Sequence, residues 1–145
     1  MKKVLFITYG NPEKASRGDD LYSWNIINSI KHCKDVYLHV VSYYEEAKDK
    51  EKNYSLLEKT ADKLTYVPFV YKNILAIGFS KYPAMIANRR TPQMIKTVQD
   101  ILENEEYDVI IVNMFRLSYL IEYIQKYKGK KVFISHNVES QLSQS

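Results

Sequence analysis

Short runs of Val, Ile, Leu, Phe and Tyr recur along this chain, and between them the sequence turns polar or takes on the spacing of a helix. The first run, Lys3-Val4-Leu5-Phe6-Ile7-Thr8-Tyr9, is continuous rather than alternating and stops at Gly10. A strand buried on both faces has that pattern. Asn11 to Gly18 is a polar loop, Asp19 or Asp20 supplies a helix cap, and Leu21, Trp24, Ile27 and Ile30 then fall on one apolar face. Val36 to Ser42 is a second run, at the distance that closes a β-α-β crossover and makes parallel neighbours. Tyr43 to Lys63 reads as a solvated loop with a short surface helix, and Leu64 to Val70 as an extended run whose Pro68 suits an edge strand. Asn73 to Ala87 is apolar and reads as a helix broken near Pro83.

The last third is more regular. Thr91-Pro92 starts a helix, with threonine as cap and proline at the first helical position, and Met94, Ile95, Val98, Ile101 and Leu102 carry its buried face to about Asn104. Val109 to Val112 is a strand, and Leu117 to Tyr127 a helix with Leu117, Leu120, Ile121 and Ile124 inward. Lys131 to Ser135 is another strand, after a stop at Gly129. Strands alternating with helices throughout specify an α/β domain with a mostly parallel sheet.

At 145 residues the chain makes one domain, so any activity that needs two lobes enclosing a cleft is excluded for it alone. Cys33 is the sole cysteine, which rules out an internal disulfide and a Cys-rich zinc site and suits a reducing, cytoplasmic setting. The apolar stretch after Met1-Lys2-Lys3 is too short for a signal peptide or a membrane span. His32 and Cys33 are adjacent and diverge on a helix, and no second His stands at metal-ligand spacing, so no metal is expected. No GxSxG elbow and no GxxxxGK[ST] loop is present.

Ligands of open parallel sheets bind beyond the carboxyl ends of the strands. The loop after the first strand holds Gly10 and Gly18, which let backbone approach a ligand, and Lys14 and Arg17, which suit phosphate or carboxylate. A flexible loop whose glycines only make turns fits equally. The spacing is not GxGxxG and no acid ends the second strand, which demotes a dinucleotide-dependent dehydrogenase. Asn113 and Arg116 follow the Val109 to Val112 strand and are placed to face the crevice; an arginine at a helix start opposes the dipole unless an anion compensates, and a solvated Arg116 is the plain alternative. Ser135-His136-Asn137-Val138-Glu139-Ser140 is the most distinctive string, polar directly after a buried strand. His136 there suits a proton shuttle or a bond to a substrate hydroxyl, and the alternative is that His136 and Asn137 cap the next turn.

Charge is distributed unevenly. The net +4 conceals a stretch, Lys63 to Gln99, with no acid and with Lys63, Lys72, Lys81, Arg89, Arg90 and Lys96 among Tyr66, Phe69, Tyr71, Phe79 and Tyr82. That mixture suits anionic lipid headgroups, with Lys72, Lys81, Arg89 and Arg90 facing the membrane. Solvated bases above a docked apolar face are the alternative, and the wide spread of the bases argues against nucleic acid.

Taken together, Lys2 to Thr8 with its glycine-containing loop, Tyr107-Asp108-Val109-Ile110-Ile111-Val112, and Lys131-Val132-Phe133-Ile134-Ser135-His136-Asn137-Val138-Glu139 resemble the amino-terminal half of family 4 glycosyltransferases of the GT-B fold. The resemblance implies a Rossmann-like three-layer domain that holds the acceptor, often lipid-linked at the cytoplasmic face of the membrane. The activity it implies is retaining transfer of a sugar from a nucleotide-sugar donor, with no metal and no other cofactor. It implies that Gly10 and Gly18 reach the donor phosphates, with Arg17, Asn113, Arg116, Asn137 and Glu139 around donor or acceptor and His136 as the catalytic candidate. Arg17-Gly18 stands where the family has paired glycines, and Asn113 where it often has histidine. The family's donor-binding lobe is not among these residues, so the chain alone is expected to be inactive. The rival reading is a self-standing Rossmann-like or flavodoxin-like module for a small anion or a protein partner.

Overall fold

The computed structural model describes residues 1–10, 12–14, 18–44, 55–69, 78–87 and 89–135. Strand β1 (Lys2–Thr8) leads through a short 3-10 turn (Pro12–Lys14) to helix α1 (Gly18–His32) and strand β2 (Val36–Tyr44). Helix α2 (Ser55–Thr60), strand β3 (Lys63–Pro68), and helices α3 (Ala84–Ala87) and α4 (Pro92–Asn104) follow. The chain then forms strand β4 (Val109–Asn113), a 3-10 helix (Phe115–Leu120), helix α5 (Ile121–Ile124) and strand β5 (Lys130–Ile134). All strand pairs are parallel and the sheet order is β3-β2-β1-β4-β5. The α/β architecture with helices on both faces is therefore as expected, and the sheet is wholly parallel.

β1 is central because its sequence can be buried on both sides: Leu5, Phe6 and Ile7 are fully shielded. Each such side chain contributes about 1.5–3 kcal/mol relative to exposure. Alternate residues feed two cores. Leu5, Ile7, Val41, Tyr43, Val67, Ile110 and Val112 pack against Met94, Val98 and Leu102 of α4 and against Leu117, Leu120 and Ile124. Val4, Phe6, Leu38, Val40 and Ile111 pack against Ile27 of α1 and Leu57 of α2. Pro68 ends β3, which is an edge strand as its composition requires.

The structure corrects several local expectations. α1 begins at Gly18 and takes in Asp19 and Asp20, so neither is its cap, and Leu21 is half exposed rather than inward. The continuous helix expected over Leu117 to Tyr127 is instead a 3-10 helix followed by a single α-turn. Its entry residue, Met114, has φ +88°, and the Leu117 amide bonds back to the Met114 carbonyl at 3.1 Å. The tighter winding buries Tyr119 along with Leu117 and Leu120, and leaves Ile121 only partly covered. Of the apolar stretch Asn73 to Ala87, residues 73–77 lie outside the described residues, and α3 begins directly after Pro83.

Candidate functional site

From β1 the chain builds outward to β2 and β3 on one side, and β4 and β5 lie on the other. The order therefore reverses between β1 and β4, and the crevice of such a sheet opens at the carboxyl ends of those two strands. Tyr9 follows β1 there, and Arg116 follows β4. Arg116 donates from Nη1 to the Tyr9 hydroxyl at 2.9 Å, with its Cζ 5.1 Å from the ring centre.

Arg89 comes to the same ring from the segment before α4. Its Cζ lies 4.8 Å from the centre of Tyr9 and 4.5 Å from that of Phe69, just past β3. The main chain of Arg89 is held as firmly as its side chain. The hydroxyls of Tyr43, near the end of β2, and of Tyr119 both bond to the Arg89 carbonyl, the latter at 2.8 Å, and they lie 2.9 Å from each other. Tyr43 also meets Thr91 Oγ1 at 3.0 Å, and that oxygen caps α4 by accepting from the Met94 amide at 3.2 Å. Burial raises both phenols above the ordinary tyrosine value, Tyr119 the more strongly, so each keeps its proton to donate.

Arginines and lysines are used differently in this fold. Among the described residues the ion pairs are made by lysines: Lys2, Lys3, Lys31, Lys63, Lys81, Lys96 and Lys128. Arg89, Arg90 and Arg116 make none of these ion pairs and lie against aromatic rings, as Lys3 and Lys81 also do, with Arg90 on Tyr82 and Tyr123 and a 2.7 Å bond to the Tyr123 hydroxyl. Nε and Nη1 of Arg89 and Nε of Arg90 are shielded from solvent and have no hydrogen-bond partner among the described residues.

These placements revise the expected site. Arg89 and Arg90, read as facing a membrane, stack on rings within the fold, while Lys81 is largely exposed with Glu122 4.0 Å away. Within the acid-free stretch two of the described bases are paired with acids from elsewhere: Lys63 starts β3 and pairs with Glu105, and Lys96 pairs with Asp100 one turn along α4. Asn113, expected to face the crevice, is fully buried, because its amide donates to Thr8 at 3.1 Å and to Ser23 at 2.9 Å and ties β4 to β1 and α1. Arg116 does stand at the crevice. A Cβ built at Gly10 or Gly18 meets nothing within 4 Å, so no steric demand calls for glycine at either. Glu13, from the same loop, accepts from the Leu56 and Leu57 amides and caps α2. Lys72, Arg17, His136, Asn137 and Glu139 lie outside the described residues. Sequence reasoning gave no site role to Tyr9, Tyr43 or Tyr119, and it placed Phe69 in the basic, aromatic mixture suited to lipid headgroups. The available signal was an aromatic residue at or beside the carboxyl end of each of the first three strands.

A second polar group lies at the amino edge. His39, fully buried in β2, meets Tyr107 Oη and Thr65 Oγ1, each at 2.7 Å. Burial and the nearby Lys63 push its pKa down to about 4, so the ring is neutral. Glu105 bonds to Lys3 at 2.8 Å and Lys63 at 3.1 Å, which hold its carboxyl at about 2. A shallow pocket nearby, lined by Leu102, Glu105, Tyr107, Tyr127 and Lys128, opens at the end of the sheet opposite the crevice. Among the described residues no His, Cys, Asp and Glu cluster could hold a metal ion, and no helix is long and apolar enough to cross a membrane.

The fold and its carboxyl edge thus define an open, doubly wound α/β domain of the Rossmann-like kind with an arginine-bearing crevice. Compared with protein-family models and with curated proteins, the chain matches none.

Proposed function

We propose that this chain is the acceptor-side half of a retaining glycosyltransferase that moves a sugar from a nucleotide-sugar donor to a glycan or lipid-linked acceptor. The observation that carries the reading is the parallel sheet whose order reverses between β1 and β4, with Arg116 and Arg89 gathered on Tyr9 at that point. The residues that carry the family resemblance are the strands β1, β4 and β5 of this sheet and the string after β5. In this reading the groups that complete neutralisation of the departing diphosphate belong to a second lobe, and these residues alone do not make up the whole of that site. The roles this reading assigns are catalysis to His136, donor or acceptor binding to Asn137, Glu139 and Arg17, and approach to the donor phosphates to Gly10 and Gly18, with no cofactor needed. The enzyme works in the cytoplasm at the inner face of the membrane, toward which the exposed Lys81 presents a positive charge.

The reading frame beyond Ser145 tests this most directly. A second parallel-sheet lobe supports the transferase, and a stop codon there overturns the half-enzyme and leaves a self-standing binding module. Incubating the purified chain with a panel of nucleotide sugars and oligosaccharides is the second test. No transfer above blank is expected from the chain alone, and measurable transfer defeats the division between lobes.

A further inference from the structure

We propose that the carboxyl edge is a binding site for a phosphoryl group, held by the guanidinium groups of Arg89 and Arg116 around Tyr9. The inference does not depend on sugar transfer, because it rests on how two cations are built into the fold.

Arg89 is placed before any ligand arrives. Two buried phenols fix its carbonyl, a helix capped by Thr91 begins three residues later, and its side chain lies against the rings of both Tyr9 and Phe69. A guanidinium fixed in this way loses little freedom on binding. Two of its nitrogens are nevertheless shielded and unpartnered among the described residues. Shielded donors without acceptors are costly, and folded proteins rarely keep them without a use. The ordinary remedy is a carboxylate, yet none of the described ion pairs includes Arg89, Arg90 or Arg116. No described residue supplies that acceptor.

The charge count selects the class of ligand. Arg89 and Arg116 converge on one ring, so a ligand there meets two positive charges. A carboxylate offsets one of them, whereas a phosphoryl group carries up to two negative charges and enough acceptor oxygens for both planar donors. Glu13, the acid of the β1–α1 loop that could otherwise turn toward them, is committed to the α2 amides. The place is also right, since ligands of open parallel sheets sit outside the strand ends where the order reverses. The phosphoryl group can belong to a soluble phosphate compound or to a lipid headgroup, and the chemistry of recognition is the same.

The test follows the arginine side-chain Nε–H resonances of the whole chain by NMR while inorganic pyrophosphate is added. The Arg89 and Arg116 resonances are expected to shift and saturate together, with a Kd below about 1 mM. Arg116→Met and Arg89→Lys are each expected to weaken binding roughly tenfold or more, and Lys128→Gln to leave it unchanged. If Arg89→Lys fails to fold, the wild-type resonances and the partly exposed Arg116 decide the matter. Shifts that rise linearly without saturating, or equal binding by wild type and Arg116→Met, overturn the proposal. Vesicles of phosphatidylglycerol and phosphatidylcholine separate the sources: displacement of bound pyrophosphate identifies a lipid headgroup, and undiminished binding in their presence identifies a soluble phosphate compound.

Discussion

Gly129 has φ +101°, and a Cβ built on it lies 2.3 Å from the carbonyl oxygen of Tyr107, a backbone atom that has no easy way to retreat. Gly129→Ala therefore combines a disfavoured backbone conformation with a clash, and should cost roughly 2–4 kcal/mol. A lower urea midpoint with an unchanged m-value is the expected result; an unaltered midpoint would show that the turn before β5 tolerates a side chain. The Arg89 carbonyl offers a subtler case. Tyr43→Phe and Tyr119→Phe each remove one of two donors, for about 1 kcal/mol apiece. The double variant strips the carbonyl of both, so its loss should exceed the sum of the single losses in a denaturation cycle, and simple additivity would contradict the shared acceptor.

Helix α4 shows which elements can be read from sequence. Thr91 caps it through the Met94 amide, Pro92 opens it, and Met94, Val98 and Leu102 are buried as their spacing requires. Each signal is local and none depends on the rest of the fold. Thr91→Ala should destabilise the protein by about 1 kcal/mol and speed amide exchange in the first turn of α4, with Thr91→Ser restoring most of the protection. Exchange that stays unchanged in Thr91→Ala would mean the cap contributes nothing. The 3-10 helix after β4 was not legible in the same way. Leu117, Leu120, Ile121 and Ile124 fit an α-helical stripe, and what overrides it is the positive φ of Met114 together with the need to bring Tyr119 to the Arg89 carbonyl. The place of Arg89 at the crevice was illegible for a related reason. Arg89 and Tyr9 are neighbours only because α4 packs across the face that carries β1, and no spacing along the chain records that. Arg116, placed by the end of a recognisable strand, was found.

At the scale of the whole molecule, the amino edge is stapled by a network that senses pH. Glu105 joins Lys3 of β1 to Lys63 of β3, and Tyr107 joins the same carboxylate to His39 of β2. His39 titrates near 4 when folded and near 6.5 when unfolded. The unfolded chain therefore binds more protons across that window, and stability is lost as pH falls from 6.5 toward 4, by roughly 2–3 kcal/mol. Glu105 has its lowered pKa near 2, so its contribution is complete above about 4.5 and disappears as pH falls from there toward 2. Denaturation midpoints across this range should decline in two stages, and His39→Gln should flatten the upper one. An upper stage that survives in His39→Gln would place the sensor elsewhere.

The position of β1 also bears on synthesis. Made first, it ends in the middle of the sheet, with β2 on one flank and β4, more than a hundred residues downstream, on the other. As the chain leaves the ribosome, β1, β2, α1 and β3 can assemble and seal one face. Leu5, Ile7 and Val41 on the opposite face must wait for α4, and the free flank of β1 must wait for Val109. A nascent chain halted between residues 69 and 92 would carry both an uncovered apolar face and an open strand edge, the combination that a holding chaperone binds.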